Sequence, residues 1–209
     1  MNILKLLLFY VIILGIGWIF SWLKIPTGYS LAFFIILTIA IVSYYAYTMT
    51  SSKRTNAILR QVRFQKRNPI YAHVLAIKEG TKEDEIEALD RLIKKNKKYD
   101  DGRKDYEFQR AVRLGDLASA KKIVNSMKNG PLKSYNIAYV EALSGKYGVA
   151  RNQPFYQPWM IHCIEAVIAK KQNNKERYQS EMELAVEEAK GIQRLINQVT
   201  LEKTLKEWK

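Results

Sequence analysis

Two apolar runs, Ile3 to Leu23 and Tyr29 to Met49, joined only by Lys24-Ile25-Pro26-Thr27-Gly28, restrict what this chain can fold into more than any other feature. Each matches the roughly 20 residues that an α-helix, rising about 1.5 Å per residue, needs to cross a bilayer. The first run holds one charge, Lys5, near enough to its end to snorkel to the headgroups, and the second holds none. The remaining chain is too polar to cover both runs in a water-soluble core, so they predict a transmembrane hairpin over residues 1–49, with helices at about 3–23 and 29–49.

Side chains at the ends of the runs give the hairpin a direction. Trp18, Trp22 and Tyr29 cluster at the turn, and Tyr44, Tyr45 and Tyr47 gather at the far end, where amphipathic rings favour headgroup depth. The turn offers only Lys24, whereas Lys53, Arg54, Arg60, Arg63, Lys66 and Arg67 follow the second run. The positive-inside rule then places both termini in the cytoplasm of a two-span cell-membrane protein. A cleaved signal peptide is the competing reading of the first run; no small-x-small site follows it, and a second span comes at once.

Residues 50–67 have the pattern of a basic amphipathic helix, with Ile58, Leu59 and Val62 on one face and Arg60, Arg63 and Arg67 on another. Emerging from a bilayer, such a helix is expected to lie along the inner leaflet, its six cations drawn to anionic lipid. The chain carries 34 Lys and Arg against 20 Asp and Glu, formally +14, which calls for an anionic neighbour. A single cysteine, Cys163, forms no internal disulfide and suits a reducing compartment. The wealth of lysine, isoleucine and asparagine fits a bacterial chain.

Asn68-Pro69 breaks the helical pattern and opens a new unit, because the residue before proline is pushed out of the helical region. From 68 to 190 the chain reads as pairs of helices. Thr81, followed by Glu83, Asp84 and Glu85, has the signature of a capped helix start. Further on, the stretch Leu114-Gly115-Asp116-Leu117-Ala118-Ser119-Ala120-Lys121-Lys122-Ile123-Val124 resembles the centre of a tetratricopeptide repeat, with its turn glycine and, five residues later, its small alanine. Gly145 with Ala150, and Asn173, recur at about the thirty-odd-residue period of such arrays. The second unit departs from the pattern at Asn152, Pro154 and Pro158, and the third lacks both the turn glycine and the alanine. The resemblance implies an all-α solenoid of α-hairpins that binds protein partners. Residues 191–209, with Ile192, Leu195, Ile196, Val199 and Leu205 on one stripe, are expected to cap its open end.

No catalytic pattern emerges. His162 and Cys163 are adjacent, so on a helix they point about 100° apart and do not converge on one metal ion, and His73 is distant. There is no Gly-x-Ser-x-Gly elbow, and Gly145-Lys146 lacks the rest of a phosphate loop. The chain therefore reads as a non-enzyme without metal or cofactor. Lys94, Lys95, Lys97 and Lys98 alternate with acids and lack a stacking platform, so lipid is a better-matched neighbour for them than nucleic acid. Asn152 to Met160 contains Phe155, Tyr156 and Trp159, either core at an irregular junction or an aromatic anchor for a partner. The expectation is a membrane-anchored adaptor for an unidentified protein at the cytosolic face. The alternatives are an accessory subunit of a membrane complex and a membrane-tethered nucleic-acid binder.

Overall fold

The computed structural model describes the backbone of residues 3–208 and the side chains of residues 11–208. The Lys5 side chain and the chain ends at 1–2 and 209, included in the expected domains, lie outside the described residues. Among those described, regular structure is exclusively helical: twelve helices and no strand, divided between two compact units that meet at Ser51 and Ser52.

The first unit holds α1 (Ile3–Trp22) and α2 (Thr27–Thr50). α1 ends where Lys24 takes a left-handed φ of 53°, with the Ile25 N–H donating to the Phe20 carbonyl and the Lys24 N–H to that of Ser21. This crossed pair satisfies carbonyls that the helix end would otherwise leave open. Across the turn, the Phe20 and Phe33 rings meet edge-on with centroids 5.1 Å apart. Apart from Thr48 and Met49, α2 has no buried residue, and Ile36 at its middle is 67% exposed. A 24-residue apolar helix with an uncovered surface is long and apolar enough to span a membrane; the described apolar part of α1, Val11–Trp22, is shorter.

The second unit, the body, begins at Ser52 and contains α3 (Thr55–Phe64), α4 (Pro69–Glu79), α5 (Lys82–Lys95), α6 (Asp100–Leu114), α7 (Leu117–Asn125), α8 (Pro131–Leu143), α9 (Tyr147–Arg151), α10 (Pro158–Lys171), α11 (Lys175–Glu188) and α12 (Gly191–Glu207). The helix expected over 50–67 is interrupted. The Ser52 hydroxyl accepts the Arg54 N–H at 3.0 Å and the Ser52 carbonyl accepts the Gly191 N–H at 2.9 Å. These bonds hold the chain non-helical before Thr55. Ile58 and Val62 are fully enclosed, and α3 packs on α4 and α12. The apolar face of α3 is therefore turned into the body through Ile58 and Val62, where each such side chain contributes about 1.5–3 kcal/mol by leaving water.

Three helix pairs share one turn. At Gly115 (φ 84°), Gly145 (φ 80°) and Asn173 (φ 54°) the left-handed residue's N–H reaches back three residues and the next N–H five: Asp116 to Ala111, Lys146 to Glu141 and Asn174 to Ala169. Glycine enters this conformation without a Cβ penalty, and asparagine is the side chain that tolerates it best. Five residues beyond, Ala120 and Ala150 are fully buried, whereas the third pair has Tyr178. The volume is redistributed. In the first pair Phe108 packs with Ala120, and in the third Ala166 and Ala169 leave room for the Tyr178 ring, which also meets Trp208 at 5.1 Å. Summed volume is what a core conserves, so large and small exchange helices.

Helix contacts run from α4 through α5, α6, α7, α8, α10, α11 and α12 and return to α4, closing a ring. This corrects the assignment of the last helix as a cap on an open end. From Gly191 to Leu205 no residue is exposed, because α12 lies between α11 on one side and α3 and α4 on the other. Two seams hold the closure: Lys78 Nζ donates to Glu202 Oε2 at 2.9 Å, and Lys203 Nζ to the Gly80 carbonyl at 2.9 Å.

Candidate functional site

The up-and-down chain path gives the body two ends. The distal end holds the turns at Gly80, Gly115, Gly145 and Asn173; the proximal end holds Ser52 and the loops before α6, α8, α10 and α12. Glu85, at the start of α5, is the centre of the distal end. Its carboxylate meets Lys203 of α12 and, at 2.9 Å, Arg113 of α6. Lys121 pairs with Glu141 there at 2.6 Å. Thr81 closes a capping box: its hydroxyl accepts the Asp84 N–H at 3.2 Å, and Asp84 accepts the Thr81 N–H at 2.8 Å, holding that carboxyl below its ordinary range.

Deeper in the body, Asp105 of α6 accepts from Asn136 at 2.9 Å and Gln109 at 2.7 Å. Burial holds its carboxyl above the ordinary carboxylate range despite those two donors. Tyr135 and Tyr139 enclose the adjacent interior, and burial raises both phenols. The Sγ of Cys163 faces Asn197 at 3.8 Å, and burial pushes the thiol up to about 12, which removes the thiolate needed for nucleophilic work. Its neighbour His162 points away, its Nδ1 2.9 Å from Glu181 Oε2. Burial lowers His73 to about 4. Among the described residues, no three His, Cys, Asp or Glu side chains group as metal ligands.

The six cations named from the sequence lie on and beside α3. Lys53, Arg54, Arg60, Arg63, Lys66 and Arg67 are all exposed, and Arg63 is paired with Glu79 of α4. The aromatic trio splits. Phe155 packs on the cluster of Ala138, Ala142, Ala150, Ile164 and Ile168; Trp159 meets Tyr135 edge-on at 5.5 Å; and Tyr156 alone, 54% exposed, offers free surface.

Between α4 and α5 lies a cleft of about 340 Å³, floored by Ala72, Leu75, Ala76 and Ala88. Glu79, Asp84 and Glu87 on its rim are already held by Arg63, Thr81 and Arg91. Sequence reasoning missed the Glu85 junction and this cleft, since neither has a local signature. No family model, no curated protein and no solved structure matches this chain.

Proposed function

We propose that the protein is a membrane-anchored adaptor. In this reading α1 and α2 form a two-span hairpin in the cell membrane with both termini in the cytoplasm, and the body is a tetratricopeptide-like helical scaffold that binds a protein partner at the cytosolic face. One observation carries it: α2, apolar over 24 residues and left uncovered, is covalently joined at Ser52 to a body with its own complete core. Uncovered apolar surface of that extent is stable in hydrocarbon and costly in water. The shared turn at Gly115, Gly145 and Asn173 supports the repeat character, and the cations of residues 53–67 support the orientation.

Fractionation, reporter fusions and crosslinking test the reading together. The chain is expected to stay with membranes after alkaline washing, a C-terminal reporter to be active only in the cytosol, and crosslinking in cells to recover one partner whose capture depends on the body. Release by the wash or an external C-terminus refutes the anchor. Replacing the hairpin with an unrelated one should preserve partner capture; its loss would assign the protein instead to the accessory-subunit role, in which the spans pack against other membrane helices.

A further inference from the structure

α11 is the most acidic helix of the body, with Glu176, Glu181, Glu183, Glu187 and Glu188 against Lys175 and Arg177 in a chain that is formally +14. Its ion pairs use only Glu181, 2.9 Å from His162, and Arg177, 2.7 Å from Glu165. Glu176, Glu183, Glu187 and Glu188 are exposed and stand in no ion pair among the described residues. Lys175 and Lys190 flank this run without pairing with it, and Arg194 of α12 donates instead to the carbonyls of Val186 and, at 3.2 Å, Glu187. The last turn of α11 has no basic residue, although the C-terminal end of a helix favours cations and disfavours carboxylates. The placement is unfavourable for the helix by itself, and a cation supplied from outside offsets it.

Apolar side chains share the face. α10 and α11 lie antiparallel about the turn at Asn173, and the His162–Glu181 contact sets their register. Ile161, one residue before His162, and Leu184, three residues after Glu181, are thereby brought to the same outer surface, and both are exposed. On the α10 side Glu165 is held by Arg151 at 2.6 Å and by Arg177 at 2.7 Å, so the open carboxylates lie along α11. An apolar strip edged by unpaired carboxylates matches an amphipathic helix with lysine or arginine beside its apolar stripe. Anionic phospholipid and nucleic acid are repelled by the same edge.

We propose that the outer face of α10 and α11, through Ile161 and Leu184 with Glu183, Glu187 and Glu188, is a docking site for a cationic amphipathic segment of a partner protein. Apolar side chains of that segment lie on Ile161 and Leu184, and its lysines or arginines meet the three glutamates and the negative end of α11. This deepens the adaptor reading and rests on it, assigning the partner a face and a chemistry.

The test places p-benzoylphenylalanine at Leu184 of the full chain, irradiates isolated cell membranes, and sequences the crosslinked segment by mass spectrometry. Ala118 on α7 and Lys94 on α5, both exposed, carry the same label as controls. A net-positive, amphipathic segment is expected at Leu184. Its yield should fall about tenfold when Glu183→Lys, Glu187→Lys and Glu188→Lys are combined, and severalfold in high salt. Circular-dichroism melts report whether that variant folds; the milder combination of Glu183→Gln, Glu187→Gln and Glu188→Gln, which should lose part of the yield, serves if it does not. A neutral or acidic segment, a yield indifferent to these substitutions and to salt, or crosslinking of Leu184 to a second copy of this chain overturns the inference. Crosslinks to a partner at Ala118 or Lys94 with none at Leu184 overturn this face and leave the adaptor reading intact. No partner at any of the three positions overturns both.

Discussion

Acidification between about pH 7 and pH 5 probes the enclosure of His73. Burial depresses this imidazole in the folded protein to about 4 from an ordinary 6.5, so folding holds it neutral. The stabilisation is complete above the unfolded value and is lost as pH falls through 6.5 towards 4, because only the unfolded chain then gains a proton freely. At about pH 5 the linkage relation gives a loss of about 2 kcal/mol, and about 1 kcal/mol if the half-buried ring keeps part of its hydration. For a body of this size, 1 kcal/mol moves the midpoint by about 2–4 °C, so the melt should fall by roughly 2–8 °C. Circular-dichroism melts of the full chain in detergent measure this. His73→Leu should flatten the dependence across the same window while retaining His162 and the carboxylates. Carboxylates held low by cations, such as Glu165 beside Arg151, lose their contribution only at lower pH, and Asp105, raised by burial, acts in the opposite sense. A variant as pH-sensitive as the parent would refute the reasoning.

Glu85→Ala leaves Lys203 and Arg113 facing each other without a counter-charge. With Arg113 a third exposed, a loss of about 3 kcal/mol is expected, at the low end for a broken buried pair, and Lys203→Met in the same chain should recover part of it in a double-mutant cycle. Phe155→Ala should cost about 2 kcal/mol, whereas Tyr156→Ala should change stability by less than about 0.5 kcal/mol; equal effects would deny the split between core and surface aromatics. Cys163, with its thiol pushed up to about 12, should resist alkylation in the native state and react only on unfolding, since about 10⁻⁴ of it is thiolate near pH 8. Rapid native labelling would contradict its burial.

Much of the fold was legible because it is written in local signals. The two apolar runs, the Asn68-Pro69 break and the turn residues Gly115, Gly145 and Asn173 each act through bonded neighbours, and α6, α7, α10 and α11 start or stop where those signals stand. Tyr178 in place of the expected alanine looked like a departure from the repeat. Only the facing helix, with Ala166 and Ala169, resolves it as an exchange of volume.

The chain's sequence alone determined that it is helical, that its N-terminal portion is apolar enough for hydrocarbon, and where its helix pairs turn, since propensity, hydropathy and left-handed residues act over a few positions. The tertiary structure decided that α12 closes the body against α4 instead of capping a free end, that Ile58 and Val62 face inward, and that Glu85 meets Lys203 across more than a hundred residues. Those outcomes depend on which surfaces find complementary area and charge after the chain folds back, and such long-range contacts leave no periodic mark on the segments that make them.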